Sequence, residues 1–238
     1  MSSLRSNILV QPQEIFVSSS TQGTDVGASA TTGDGRYFRY ALGSGTALVA
    51  GKLYQTTPQD TTNYQNLAVL AAGTNTLVVT TSTTTTFAAN ALTGGWLTVR
   101  TTPGQGFQYK ISSHAATSAG TVAFNLEDPI QITLSTASVI DVTPNPYANV
   151  IVSPTTRSGI AAGVAVNNTT LSQYGWLQTR GCTNVLTDTA ITVGNSVSPS
   201  TNVAGAVMPA TGTQAQVLGY AMITTTDTKY APVFLTMD

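Results

Sequence analysis

Histidine occurs once in the chain, so any Ser-His-Asp hydrolase would have to be built on His114, in Ser112-Ser113-His114-Ala115. That segment falls between two strand patterns and reads as a turn, which makes His114 a solvent-exposed loop residue rather than a general base. Glu127 and Asp128 are the only adjacent carboxylates. Neighbours on a strand point to opposite faces, so this pair reads as a turn before Pro129 and not as the facing acids of a glycosidase. The remaining acids are isolated and lack the spacing of a calcium loop. Gly33-Asp34-Gly35 and Gly43-Ser44-Gly45 have no Lys-Ser/Thr behind them and open no helix, so they read as hairpin turns and not as phosphate cradles. Cys182 stands alone, which excludes an internal disulfide or a cysteine metal site, and it reads as a packed small side chain. Trp96 and Trp176 could stack on sugars, but each follows a glycine in a strand pattern and reads as a core anchor. The expectation is therefore no catalytic, cofactor-binding or metal site, and no enzyme.

The elements that would carry these residues are extended. Of 238 residues, 41% are apolar and 8% charged, Gly numbers 21, and glutamate appears only as Glu14 and Glu127. Threonine is the commonest residue, and threonine with little glutamate favours strands over helices. Nine basic and ten acidic residues give a net charge of −1, with the basic ones scattered singly. No basic stripe exists for phosphate neutralisation, so direct nucleic-acid binding is not expected. A nearly neutral, Thr- and Ser-rich surface instead suits life in an assembly. The start lacks the apolar run of a signal peptide and no stretch approaches a membrane span, so neither export nor membrane insertion is expected. The sequons at Asn167 and Asn168 then carry no glycosylation meaning.

Along the chain, residues 1–35 read as an N-terminal arm with two apolar islands, Ile8-Leu9-Val10 and Ile15-Phe16-Val17. The islands either find partners on another subunit or form a strand of the chain's own sheet. Residues 36–42 and 46–55 read as strands. Residues 58–158 read as an inserted β domain: strands at 66–70 and 76–80, one helical turn at 87–92, a hairpin of 96–100 with 107–111 across Pro103-Gly104-Gln105-Gly106, and strands at 121–126, 130–134 and 138–142. Pro144-Asn145-Pro146 closes it. From Tyr174 the chain returns to β structure, a strand to Gly181 and then short apolar pieces at 184–186, 191–193, 215–222 and 231–235. The fold class expected is all-β, with two small barrel or sandwich domains, 36–57 plus 159–238 and the insert at 58–158, and an extended arm at 1–35. Tyr174, Trp176, Trp96 and Phe234 are its expected structural anchors.

The layout resembles the decoration, or cement, proteins of tailed-phage heads. The resemblance is carried by Arg36 to Gln55, Gly94-Gly95-Trp96-Leu97-Thr98-Val99 through Tyr109-Lys110-Ile111, Asn145-Pro146-Tyr147-Ala148-Asn149-Val150, and Tyr174-Gly175-Trp176-Leu177-Gln178-Thr179 through Pro232-Val233-Phe234-Leu235. It implies a protein made in the host cytoplasm and carried on the outer capsid surface, a homotrimer bridging major capsid protein subunits. In that setting Ile8, Leu9, Val10, Ile15, Phe16 and Val17 would contact the capsid or a sister protomer. The competing class is a fibre- or spike-associated module that binds a receptor or glycan.

Overall fold

Threonine- and valine-rich segments broken by glycine, proline and asparagine turns produce many short strands. The computed structural model describes residues 8–43, 45, 47–58, 64–66 (for residue 65 the backbone alone), 68–81, 86–212, 216–226 and 229–238. Met1–Asn7, Ser44 with Thr46, Leu67, the threonine run at 83–85, Ala215 and Asp227, all within segments read above, lie outside these residues. The strands are β1 (Ile8–Leu9), β2 (Ser29–Thr31), β3 (Tyr37–Leu42), β4 (Leu53–Gln55), β5 (Tyr64–Asn66), β6 (Thr76–Thr80), β7 (Trp96–Val99), β8 (Gln108–His114) and β9 (Thr121–Leu126). They continue as β10 (Val139–Thr143), β11 (Ile151–Val152), β12 (Ala161–Ala165), β13 (Tyr174–Leu186), β14 (Ser196–Pro199), β15 (Val207–Pro209), β16 (Gly219–Ala221) and β17 (Tyr230–Thr236). A single 3-10 turn, Glu14–Phe16, is the only helix among the described residues. The protein is all-β.

The chain divides into two compact units, Met1–Pro58 with Pro146–Asp238 and Gln59–Asn145. The second boundary falls earlier than the expected 158, at the proline pair itself. Residues 147–153 belong to the split unit because its backbone claims them: Leu42 N–H donates to Tyr147 O, Val150 N–H to Leu42 O and Ser153 N–H to Leu53 O. β11 then pairs with β4, Ile151 opposite Gln55.

The inserted unit is a closed six-stranded barrel in the order β10-β5-β6-β9-β8-β7, antiparallel at every step. Strict alternation fills it: Leu77 and Val79 of β6, Leu97 and Val99 of β7, and Val122, Phe124 and Leu126 of β9 all point inward. Each such side chain contributes about 1.5–3 kcal/mol by leaving water. Three expected elements differ. The strand read at 66–70 is replaced by β5, which ends at Asn66, and beyond it Leu70 makes only an isolated bridge with Leu134. The helical turn read at 87–92 is replaced by consecutive tight turns at 89–94, with Asn90 at φ 62. Residues 130–134 form no strand: Ile130 and Leu134 are buried, but the only ladder contact is the bridge of Leu134 with Leu70.

The split unit is an eleven-stranded sheet whose main path runs β1-β2-β3-β13-β17-β16-β14-β15, with β12 joining β13 to β4 and β4 to β11. β13 organises it. Its 13 residues pair with β3 from Tyr174 to Arg180, with β12 at Leu177 and Gln178, and with β17 from Arg180 to Leu186. The strand was expected to stop at Gly181. It runs on because Gly181 takes φ +88 inside the ladder, just after a register shift between Gln178 and Arg180, a bulge that redirects the strand.

Residues 8–35 do not form a free arm. β1 pairs with β2 in parallel and β2 with β3. Val10 and Ile15 are buried with Phe38, Tyr40 and Trp176.

Candidate interaction surface

β16 has inverted amphipathicity: small Gly219 and Ala221 face the core, while Tyr220 is 49% exposed. Gly219 is required at its position, because a Cβ there would overlap the Phe234 carbonyl oxygen across the ladder. The register sets Tyr220 opposite Phe234 of β17, and Phe234 opposite Cys182 of β13. Phe234 is 44% exposed. Tyr230 and Met222 are exposed as well, and Met222 N–H donates to Pro232 O, which extends the pairing of β16 and β17. The outward face of β13, β17 and β16 therefore carries a contiguous apolar strip. Large aromatic side chains left in water on a folded protein mark a contact surface more often than chance.

Two grooves border this strip. One, of about 660 Å³, is lined by Phe16, Arg36, Gln178, Cys182, Tyr230 and Pro232 among others. The other, of about 690 Å³, is lined by Asp34, Arg36, Tyr37, Arg180, Cys182 and Phe234. Charge at the strip is sparse and largely used up. Arg36 Nε lies 2.7 Å from Asp34 Oδ2, and the guanidinium of Arg180 sits 5.4 Å from the centre of the Tyr37 ring. The Thr32 hydroxyl, aided by Arg36, holds the Asp34 carboxyl below the usual carboxylate range.

The far end of the strip is fixed by Asp238. Arg39 grips its carboxylate with Nε at 2.9 Å and Nη2 at 3.1 Å, Thr179 donates to it at 2.7 Å, and Met237 N–H donates to Thr179 O. Burial alone would raise the Asp238 carboxyl. The hydrogen bonds from Arg39 and Thr179, with the charge of Arg39, outweigh that and hold it low. The same bond raises Arg39.

The residues singled out from sequence separate clearly. Of the two apolar islands, Val10 and Ile15 are core, whereas Ile8, Leu9, Phe16 and Val17 are exposed, and Phe16 lines the groove of about 660 Å³. Trp176 is an anchor, 7% exposed and edge-on to Tyr40 at 5.0 Å, and Tyr174 stacks on Tyr40 at 5.6 Å. Phe234 is not an anchor but an outward side chain, and so is Trp96, which is 37% exposed on the barrel wall. Cys182 is free and exposed, not packed.

His114 is likewise no loop residue. It ends β8 inside the barrel, 3% exposed, between Phe87 and Phe124. Its Nε2 accepts from Leu92 N–H at 2.9 Å and its Nδ1 lies 2.7 Å from Ala115 O, partners that the neutral Nδ1–H tautomer satisfies. This His therefore ties the turn at 89–94 to β8. Glu127 pairs with Lys110 at 3.1 Å. Among the described residues there is no group of three or more His, Cys, Asp or Glu that could hold a metal ion, and no helix long and apolar enough to cross a membrane. Compared with known proteins, the chain matches no family model, no curated protein and no solved structure.

Tyr220, Met222 and Tyr230 were missed by sequence reasoning. The signal that could have found the first two is the alternation Gly219-Tyr220-Ala221-Met222, in which the residues small enough to pack are the ones that a neighbouring strand must cover.

Proposed function

We propose that the chain is a virion structural protein of a tailed phage, decorating and stabilising the outer capsid surface by bridging major capsid protein subunits as a homotrimer. The observation that carries this reading is the exposed strip of Tyr220, Phe234, Tyr230 and Met222 between two grooves. Such a strip gains from burial against another protein in proportion to the area covered. It also holds few charges for salt to screen, which suits a clamp that must persist across ionic conditions. Ile8 and Leu9 add a second apolar edge where β1 ends the sheet, a place for strand addition by a neighbour. No bond-making step is assigned to the protein, and no cofactor.

The test is to purify the full chain, measure its mass by sedimentation velocity, and incubate it with heads assembled in cells that produce it, after those heads are stripped of outer proteins. A trimer that saturates the heads at hundreds of copies, removed by Phe234→Arg, is expected. A chain recovered at tens of copies or fewer, on fibres or spikes, would replace this reading with the receptor-binding one.

A further inference from the structure

The barrel wall carries a feature that capsid attachment does not use. Trp96 opens β7 with 37% of its surface exposed, and the register places Lys110 of β8 on one side of it and Thr143 of β10 on the other. One pair along, Thr98 stands between Gln108 and Asp141, and Gln108 Nε2 donates to Thr98 Oγ1 at 3.2 Å. Directly opposed side chains on antiparallel strands have Cβ atoms about 4.5–5.5 Å apart, so these six form one patch. The indole's position is fixed from beneath. A Cβ on Gly95 would overlap the Thr143 carbonyl oxygen, and Leu97 and Val99 lock the strand into the core.

The chemistry of the patch narrows its occupant. Its charges are already paired, Lys110 with Glu127 at 3.1 Å and Arg100 with Asp141 at 3.3 Å, so a highly charged ligand gains little there. A protein partner would want further apolar surface round the ring. The other exposed large apolar side chain on the described barrel strands is Val78, on β6, which is three strands from β7 in either direction. What remains is a flat aromatic plate ringed by an amide, two threonine hydroxyls and neutralised charges. A pyranose ring matches it, with a C–H face for the plate and hydroxyls for the rim. We infer that Trp96, flanked by Thr98, Gln108, Lys110, Asp141 and Thr143, is a binding platform for a neutral oligosaccharide. This goes beyond capsid attachment and does not depend on it.

The test uses the full chain carrying Trp176→Phe, so that tryptophan fluorescence reports Trp96 alone. It is titrated with maltohexaose, cellohexaose, chitohexaose, mannohexaose and xylohexaose, with polygalacturonate as a charged control, and checked by calorimetry. Saturable binding of at least one neutral hexaose is expected. In the chain without that reporter change, calorimetry should show binding weakened at least about tenfold by Trp96→Ala and about threefold by Gln108→Ala. Thermal unfolding verifies that each variant is folded, and Gln108→Ala with Thr98→Val carries the test should Trp96→Ala fail to fold. Binding of none of the neutral hexaoses, binding of polygalacturonate alone, or a folded Trp96→Ala chain that binds as tightly as the parent overturns the inference.

Discussion

The two units solve the edge problem of β-sheets in opposite ways. The inserted barrel pairs every strand on both sides and keeps its large apolar residues inside, with Trp96 and Val78 the outward exceptions on its strands. The split unit leaves β1 as a sheet end and turns Tyr220, Phe234 and Tyr230 to water. A closed barrel has nothing left to pair, so it can display a surface without recruiting neighbours. An open sheet with an apolar outer face is complete only when something covers it. Under the proposed function, attachment would belong to the split unit and display to the barrel.

Each unit holds one tryptophan, so Trp96→Phe and Trp176→Phe chains allow the two to be followed separately, and four changes should act on only one of them. The largest effect belongs to Phe124→Ala, which empties the barrel centre. It should cost about 3–5 kcal/mol in the urea transition reported by Trp96 and leave that reported by Trp176 in place; a shift of both would show that the units unfold as one. Next, Phe234→Arg combined with Tyr220→Arg should weaken binding to stripped heads by at least about 100-fold, as loss of two interface anchors does, with both urea transitions unmoved. Co-sedimentation that is unaltered would remove the split unit from the attachment role. His114→Leu comes third. It strands the buried Leu92 N–H and should lower the barrel transition alone by about 1–3 kcal/mol.

The smallest is Asp238→Asn, about 1 kcal/mol after allowance for solvent screening, in the Trp176 transition alone. Its pH signature sharpens the comparison. The Asp238 carboxyl is held low in the folded chain, so its contribution is complete above the ordinary aspartate range and fades as pH falls through that range toward the depressed value. The parent should therefore lose its stability advantage over Asp238→Asn on acidification from pH 5 to about pH 3. An advantage that grew on acidification would contradict the Arg39 grip.

Much of the fold was legible because sequence pattern and burial coincide. β3 is bounded by glycine clusters, β7 and the first four residues of β8 alternate cleanly, and Gly33-Asp34-Gly35 makes the turn between β2 and β3. The errors have specific physical causes. His114 reads as a turn beyond a strand that stops at Ile111, but β8 runs on to His114 and a register shift between Ile111 and Ser113 turns it inward. Gly181 reads as a stop, yet a positive φ within a bulged ladder lets β13 continue. Little of the candidate surface could be read, because Tyr230-Ala231-Pro232-Val233-Phe234-Leu235 is apolar on both faces. Period-2 alternation says nothing about which face is covered when neither is polar. Trp96 misled for the opposite reason, since a glycine before it marked a tight approach to Thr143 and not a buried ring.

The insert leaves and rejoins the split unit from β4 and β11, which run antiparallel with Gln55 directly across from Ile151. Two chain ends held side by side can be bridged by almost anything, from a few residues to a whole domain, at a loop-closure cost that rises only slowly with length. The position is in effect a socket. Replacing residues 59–145 with a short Gly-Ser bridge should yield a chain that still folds and, under the proposed function, still binds heads, and a different barrel spliced there would give that chain a new display.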